Sequence, residues 1–315
     1  MMKTIPVTAV VPTANRAAVL LQTLTSMAAQ HIQPEEIILV DASDDNETAL
    51  VCEQKIQGLL SKIIYQKALV KGAASQRNQG LKGVTSTVIF FFDDDIILEP
   101  GCVERLWNCL QSHKEAAGVN AMITNQRYHN PGKLTRFMYR LMSGEKLLSY
   151  AGKCIGPGWN LLPEDRDDLP ECNETEWLNT TCTMYRKEAL PDPPFPAGFK
   201  GYSLLEDVAL SVQVGKKWKL FNARTARIFH NSQPGSHKSS VFALSKMELV
   251  NRHHIMKDVM GRRSVKDYGK LFLFEMFGIL SVLTSFSGWK NLVPAALGKL
   301  AATGTILFSK PDNEK

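Results

Sequence analysis

Short apolar runs rich in β-branched residues alternate with longer stretches of helical periodicity over residues 1–92. This alternation is typical of a parallel sheet whose strands are joined by crossover helices. It predicts an α/β fold with a mostly parallel sheet flanked by helices. The predicted strands are 5–11, 37–40, 63–65 and 88–92, and the predicted helices are 17–30, 48–60 and 73–81.

Polar residues gather at the points where the predicted strands end. Residues 13–16 follow the first strand, Asp41 ends the second, and Asp93, Asp94 and Asp95 follow the fourth. Ligands of open α/β sheets bind outside the carboxyl ends of the strands. We therefore expect these residues to line one crevice.

The three consecutive aspartates are the most informative of these clusters. Adjacent carboxylates repel one another and are costly to desolvate unless a cation neutralises them. Oxygen ligands suit Mg²⁺ or Mn²⁺, which also bind phosphate oxygens. A polar turn is the alternative interpretation, since turns favour aspartate. The three aspartates follow a run of apolar residues typical of a buried strand, and this position favours the cation site.

Two common nucleotide-binding motifs are absent from the sequence. No G-x-G-x-x-G follows the first predicted strand, and G-x-x-x-x-G-K-[ST] does not occur. The dinucleotide fingerprint and the P-loop are therefore excluded. A nucleoside diphosphate bridged by a metal ion remains the natural candidate ligand.

Six segments, in this order, carry a resemblance to a known family: VTAVVPTANR (7–16), ILVDASDDNET (38–48), KGAASQRNQGL (71–81), FFDDDIILEPG (91–101), WLNTTCTMYRKEAL (177–190) and GYSLLEDVALSVQVGKKWKLFNARTARIFH (201–230). Together they resemble the family 2 inverting glycosyltransferases, which have the GT-A fold. The resemblance covers roughly residues 4–235 and implies a GT-A-type nucleotide-binding sheet.

The resemblance also implies functions for individual residues. Asp95 would bind a divalent metal, Mn²⁺ or Mg²⁺, together with His230, although an isolated histidine after a strand is commonly structural. For two residues of the nucleotide set given below there is an alternative interpretation. In it, Asp41 caps the next helix and Arg77 lies on the surface of its helix. The residues implied to bind the nucleotide are Pro12, Thr13, Arg16, Asp41, Arg77, Asp93 and Asp94.

Glu206 and Asp207 open a predicted helix, and the resemblance implies that Asp207 is the catalytic base. A carboxylate there would remove the proton of an acceptor hydroxyl, which is otherwise a poor nucleophile. Helix capping is the alternative, because helix N-termini attract acids. Glu206, Trp159 and Trp177 are expected on the acceptor side, where the tryptophans would either stack on sugars or pack in the core.

The composition excludes some other functions. The net charge of +6 comes without a lysine-rich tract interleaved with aromatic residues, so nucleic-acid binding is not indicated. The six cysteines form no C-x-x-C pair and no zinc spacing, which suits reduced thiols in the cytoplasm.

The last eighty residues, 236–315, differ from the rest and are predicted to be helical. Residues 246–270 hold seven Lys or Arg against three acids, and the apolar runs 271–286 and 292–308 follow. Glu275, Pro294 and Lys299 interrupt these runs. The pattern favours a peripheral anchor on an anionic membrane surface. A packed helical subdomain, a dimer partner and true spanning helices are the alternatives.

Taken together, the sequence predicts a catalytic domain at 1–235, with a donor half at 1–125 and an acceptor half at 126–235, followed by a helical region at 236–315. The expected activity is metal-assisted transfer of a sugar, with inversion, from a nucleoside diphosphate to a carbohydrate or lipid-linked acceptor. The expected location is the inner face of the plasma membrane, in surface polysaccharide or glycolipid synthesis. The alternatives are a nucleotidyltransferase and a non-catalytic protein that binds nucleotide sugars.

Overall fold

Parallel strands form one half of a nine-stranded sheet, as the alternation in the sequence predicts. The order of these strands is β3-β2-β1-β4, and each pairs with its neighbour in parallel. All five residues of β4 are buried, as expected for a central strand covered on both faces. The elements are β1 (Lys3–Thr13), α1 (Ala17–Ala28), β2 (Ile32–Asp41), α2 (Glu47–Glu53), β3 (Lys62–Lys67), α3 (Ala73–Gly80) and β4 (Val88–Phe92).

The other half of the sheet is mixed. The strand β10 runs antiparallel between β4 and β6, and β11 then pairs in parallel with β6. The short strands β5 and β9 both pair with β11 in antiparallel orientation. The remaining elements of the sequence up to His230 are β5 (Ile96–Leu98), α4 (Cys102–Ser112), β6 (Ala116–Ile123), α5 (Lys133–Ser143), β7 (Cys154–Ile155), β8 (Trp159–Asn160), β9 (Cys172–Thr175), β10 (Cys182–Arg186), α6 (Glu206–Val214) and β11 (Lys219–His230).

The computed structural model describes residues 2–196, 198–199, 201–233, 240–281 and 288–308. The chain divides into two units. The first comprises 1–130, 149–154 and 160–233, and the second comprises 131–148, 155–159 and 234–315. Residues 131–148, which the sequence assigns to the acceptor half, thus belong to the same unit as the C-terminal helices.

Helix α2 ends at Glu53, seven residues before the predicted end at residue 60. Its C-cap residue Gln54 is extended, and Gly58 has a φ of +84°. The buried side chain of Gln33 then holds the loop, because its amide donates to the Gly58 carbonyl (2.9 Å) and accepts from the Leu60 N–H (2.8 Å). A long-range contact therefore overrides the local helical pattern.

Glycine allows α3 to pack unusually close to the sheet. A Cβ at Gly80 would lie 2.5 Å from Val10 Cγ1 and 3.1 Å from Val40 Cγ2. The same helix is tied to the sheet by Gln76, whose amide donates to the carbonyl oxygens of Thr13 (2.9 Å) and Val40 (2.6 Å). Helix α3 is thus held at the carboxyl ends of β1 and β2.

The expectation of six reduced thiols is wrong for two of them. Cys109 and Cys172 form a disulfide, with Cα atoms 6.0 Å apart and a sequence separation of 63. The tertiary structure brings the end of α4 beside β9, which no cysteine spacing in the sequence indicates. The remaining four cysteines are free: Cys52, Cys102, Cys154 and Cys182.

The second unit is helical. Its C-terminal part contains α7 (Val241–His254), a π-helical turn (Ile255–Val259), α8 (Val265–Ser281) and α9 (Trp289–Phe308). Residues 282–286 of the first predicted apolar run lie outside the described residues. Among the described residues, α9 is the one helix whose length and composition would suffice to cross a membrane.

Charged side chains that interrupt the apolar runs are paired inside this unit. Lys299 donates to Glu275 (2.5 Å) and to Glu248 (2.7 Å), and Glu248 also accepts from Arg252 (3.2 Å). Glu275 is 7 % exposed, and Arg252 also lies over the Phe274 ring at 4.3 Å. These charges therefore form an internal network of α7, α8 and α9 rather than a polar outer face.

Candidate active site

The three aspartates after β4 each bind a different partner, all within the first unit. Asp93 accepts from Arg77 Nη2 (2.6 Å), and Asp94 accepts from Thr13 Oγ1 (2.6 Å). Asp95 Oδ1 lies 3.1 Å from His230 Nε2. The end of one buried strand thus connects α3, the end of β1 and the end of β11.

Asp94, which like Asp95 is buried, contacts the turn after β1. It accepts from Thr13, and the guanidinium of Arg16 lies 3.2 Å away. Burial raises the pKa of Asp94 to about 6, against the opposing effects of the Thr13 hydroxyl and the Arg16 charge. Both of its carboxylate oxygens have protein partners. The contact of Asp94 with nucleotide stays a prediction.

Asp95 and His230 form the centre of the predicted metal site. Ligand atoms of Asp93, Asp95 and His230 all lie within 4.8 Å of one another. Burial opposes ionisation of Asp95, but the hydrogen bond and charge of His230, with the Arg16 charge, lower its pKa. Asp95 is therefore a carboxylate at neutral pH, and the two-carboxylate, one-imidazole set matches the ligands that Mn²⁺ accepts.

The His230 ring is held in place by residues that follow β6. Its Nδ1 lies 3.3 Å from Gln126 Nε2, and its backbone N–H donates to Asn125 Oδ1 (3.1 Å). These contacts fix the position of His230 relative to Asp95. Gln126 and Asn125 were not predicted from the sequence, because no motif surrounds them.

Arg16 supplies positive charge at the same point. Its Nη1 is 3.2 Å from a carboxylate oxygen of Asp94 and 3.2 Å from one of Asp95. The residue is the N-cap of α1, and its side chain is only 23 % exposed. The structure therefore brings this predicted nucleotide contact directly to the predicted metal ligands.

Arg77 joins Asp93 to Glu206, the neighbour of the predicted base Asp207. It is 2 % exposed, and it donates to Asp93 Oδ1 (2.6 Å) and to Glu206 Oε1 (3.0 Å). Its guanidinium also lies 5.7 Å from the centre of the Phe195 ring. The surface position considered from the sequence is thus wrong, because α3 turns this side chain inward.

Glu206 and Asp207 form the first turn of α6. Burial and the charge of Asp207 raise the pKa of Glu206 well above its usual range, although Arg77 opposes this shift. Burial raises the pKa of Asp207 to about 6, and the Val208 N–H, which donates to Oδ1 (2.8 Å), opposes it. The helix N-terminus therefore holds two acids whose proton affinity is increased.

Unusual backbone conformations occur beside these side chains. In the described part of the chain, three non-glycine residues have a positive φ: Asn15 (56°), Ser203 (55°) and Leu205 (71°). Asn15 precedes Arg16, while Ser203 and Leu205 precede the acidic pair of α6. Such conformations cost on the order of 1–3 kcal/mol each and concentrate at functional sites.

Asp41 organises a turn in the interior instead of presenting a free carboxylate. Its side chain is fully buried and accepts from the Ser43 N–H (2.8 Å), the Ser43 hydroxyl (2.5 Å) and the Tyr65 hydroxyl (2.9 Å). Lys67 Nζ is 3.5 Å away. The helix-capping alternative is not observed, because the N-cap of α2 is Asn46, and the nucleotide contact of Asp41 stays a prediction. Pro12, predicted with it, is buried in β1.

The two tryptophans predicted on the acceptor side take part in packing. Trp177 is 6 % exposed, and its indole N–H donates to the Leu161 carbonyl (2.7 Å). Trp159 belongs to the second unit, where its ring lies 4.7 Å from Tyr139 and 4.8 Å from Phe274. The packing alternative therefore describes Trp177, whose face is not accessible to a sugar.

Charge balance favours a cation at this site. Two arginines, Arg16 and Arg77, face five carboxylates. The pKa values of three of these acids are raised, as crowding and burial dictate. A divalent cation would offset the excess of negative charge. The carboxylates are Asp93, Asp94, Asp95, Glu206 and Asp207.

Solved complexes with GDP-Man and with UDP-GlcNAc have a similar fold. The mannosyltransferase PcManGT from Pyrobaculum calidifontis, in complex with GDP-Man and Mn²⁺, matches with a TM-score of 0.52 and 12 % identity, covering 95 % of this chain and 75 % of that chain. TarS 1–349 from S. aureus, in complex with UDP-GlcNAc, matches with a TM-score of 0.51 and 16 % identity, covering 97 % of this chain and 76 % of that chain.

The sequence also matches a curated protein and a family. The minor teichoic acid biosynthesis protein GgaB of Bacillus subtilis (strain 168) is 29 % identical over 115 residues, which is 36 % of this chain and 13 % of GgaB. The chain thus aligns with a small part of that relative's length. The model of Glycosyl transferase family 2 matches residues 8–192. Because this match spans more than half of the chain, the protein belongs to glycosyl transferase family 2.

Proposed function

We propose that this protein transfers a sugar from a nucleoside diphosphate donor to an acceptor hydroxyl, with inversion at the anomeric carbon and with assistance from a divalent metal. The observation that carries the proposal is the bridge made by Arg77. This residue binds Asp93, whose ligand atom lies within 4.8 Å of those of Asp95 and His230, and Glu206, which adjoins the predicted base. One buried side chain therefore links the donor and acceptor functions.

The donor is held at the carboxyl ends of the parallel strands. Asp95 and His230, together with Asp93, would hold the divalent ion, which when bound would supply Lewis-acid stabilisation of the charge that develops on the departing diphosphate. Arg16 is close enough to Asp95 to contribute a second positive charge beside the phosphates. Donors of the types named for the two neighbours, GDP-Man and UDP-GlcNAc, are the first to test.

Asp207 performs the proton transfer. It removes the proton of the acceptor hydroxyl while the oxygen attacks the anomeric carbon on the face opposite the diphosphate, and the sugar–phosphate bond breaks. The products are an inverted glycoside and a nucleoside diphosphate. The raised pKa of Asp207 makes it a stronger base than an exposed aspartate. Arg77 and Glu206 position its helix rather than contact the reacting atoms.

Nucleotide binding with and without metal tests this proposal. Mn²⁺ together with the correct nucleotide sugar should raise the melting temperature, because a ligand that binds only the folded state stabilises it. Asp95→Asn should abolish the metal-dependent part of this rise and lower transition-state stabilisation by about 2–3 kcal/mol. Asp167→Asn, a change of the same kind at a fully exposed side chain, is the matched control. Normal metal response and activity in Asp95→Asn would exclude Asp95 as a ligand.

The acceptor belongs to a surface polysaccharide or glycolipid, with teichoic acid suggested by the name of the GgaB relative. The basic segment 246–270 and the apolar helices α8 and α9 attach the enzyme to the inner face of the cytoplasmic membrane. The pairing of Glu275 and Lys299 supports this, since it removes two charges from the outer faces of α8 and α9.

Peripheral attachment predicts a salt-dependent association. Reversing two exposed charges, in Arg263→Glu/Lys266→Glu, should release the full-length protein from anionic vesicles, because each basic residue adds about 1 kcal/mol of attraction. Raising the salt should have the same effect, since charges are screened beyond about 10 Å at 0.1 M. Co-sedimentation with vesicles measures both. Retention by the vesicles at all salt concentrations would instead indicate a spanning helix.

A further inference from the structure

Helix α5 exposes apolar side chains that the fold does not bury. Leu134, Phe137 and Leu141 are 69 %, 61 % and 40 % exposed. Their spacing of three and four residues places them in one stripe along the helix. The inner side of the helix is formed by other residues, namely Met138, Tyr139 and Met142, which are buried. The exposed stripe is therefore not the packing face of the helix.

A row of cations runs beside this stripe. Lys133, Arg136 and Arg140 are all exposed, and α5 contains no acidic residue. At about 100° per residue, this row lies roughly 100° around the helix from the apolar stripe. Arg136 donates to the Leu148 carbonyl (2.7 Å), and Leu148 is itself 96 % exposed. An apolar stripe with a basic flank suits an anionic amphipathic surface.

Helix α5 packs against α8 within the second unit. The Trp159 ring lies between Tyr139 of α5 and Phe274 of α8, with centroid distances of 4.7 Å and 4.8 Å. Lys270 of α8 donates to the Met142 carbonyl (2.5 Å) at the C-terminal end of α5. A cation at this end of a helix also interacts favourably with the helix dipole. The orientation of α5 is therefore coupled to that of α8.

The neighbouring helices expose apolar side chains as well. In α8, Phe272, Leu273, Met276 and Leu280 are 64 %, 41 %, 38 % and 55 % exposed. In α9, the exposed apolar residues recur at helical spacing: Trp289, Val293, Leu297 and Leu300. Each of the three helices thus exposes several apolar side chains, as surfaces that bind a partner or a membrane do.

We propose that α5 binds the surface of an anionic lipid bilayer, with Leu134, Phe137 and Leu141 at the boundary of headgroups and acyl chains and with Lys133, Arg136 and Arg140 on lipid phosphates. The proposal rests on the membrane attachment proposed above for α8 and α9 and adds a helix from the middle of the chain. Cations flanking an apolar stripe complement an anionic bilayer, and this complementarity selects lipid over a second, equally basic copy of the chain.

Vesicle binding by full-length variants tests this proposal. The probes are vesicles of phosphatidylcholine with and without phosphatidylglycerol. Arg136→Gln/Arg140→Gln should weaken partitioning into the anionic vesicles by roughly 30-fold, about fivefold for each cation lost. Phe137→Ser/Leu141→Ser should weaken it at least about tenfold. Matched controls in the first unit are Arg166→Gln and Leu50→Ser, at an exposed arginine and a 57 % exposed leucine.

The outcomes separate the two proposals. If Arg263→Glu/Lys266→Glu releases the protein but both α5 variants bind like wild type, α5 is not a lipid contact and only this inference fails. If the wild-type protein binds no vesicle at low salt, both the attachment through α8 and α9 and the lipid contact of α5 are wrong. Metal-dependent nucleotide binding still tests the proposed sugar transfer separately. If the α5 variants change the sedimentation of the protein alone and not its vesicle binding, the stripe contacts another copy, which also overturns the proposal.

Discussion

Replacing Asp207 with asparagine is expected to lower turnover by about 10²–10⁴-fold with donor affinity almost unchanged. Asparagine keeps the shape of the side chain but cannot accept the proton of the acceptor hydroxyl. The Val208 N–H that now donates to Asp207 Oδ1 can donate to the amide oxygen instead, so α6 should stay folded. Steady-state kinetics together with the thermal shift induced by the nucleotide separates chemistry from binding.

The pH dependence of the wild-type enzyme gives an independent check on the same residue. Asp207 must be ionised to act as a base, and burial raises its pKa to about 6. We therefore expect kcat/KM to fall as the pH decreases through about 6, whereas an ordinary aspartate would place this limb near pH 4. If Asp207→Asn loses nucleotide binding and keeps its turnover, Asp207 lies on the donor side and the base is another residue.

Replacing Arg77 with methionine is expected to destabilise the protein by about 3–5 kcal/mol, because both Asp93 and Glu206 lose their buried cation. Methionine retains much of the volume of the arginine side chain, so the loss of stability reports mainly on the missing charge. The raised pKa of Glu206 allows this acid to take up a proton, which relieves part of the cost at low pH. The destabilisation should therefore grow as the pH increases. Urea unfolding at several pH values measures it.

Arg166 provides the matched control for Arg77. It pairs with Asp168 at 3.0 Å, but its side chain is 52 % exposed. Such surface pairs contribute about 0–1 kcal/mol, so Arg166→Met should have little effect at any pH. Equal losses in the two variants would show that the buried bridge between Asp93 and Glu206 contributes no more than a surface ion pair.

Local patterns sufficed to predict the parallel half of the sheet. The β-branched runs and their spacing predicted β1 to β4, and β4 was predicted with its observed ends, Val88–Phe92. The aspartates at the end of β4 were placed correctly for the same reason, since the end of a strand is set by the residues within it. Helix α2 was predicted too long, because Gln33, far away in the chain, determines the path of the loop after Glu53.

The sequence by itself determined which acids lie at strand and helix ends, because hydrophobic periodicity and polarity depend only on a few neighbouring residues. Only the tertiary structure decided their partners. It turned Arg77 inward between Asp93 and Glu206, and it enclosed Asp41 among Ser43 and Tyr65. The contact of Asp95 with His230 likewise spans 135 positions, and such separations follow from sheet order rather than from any local pattern.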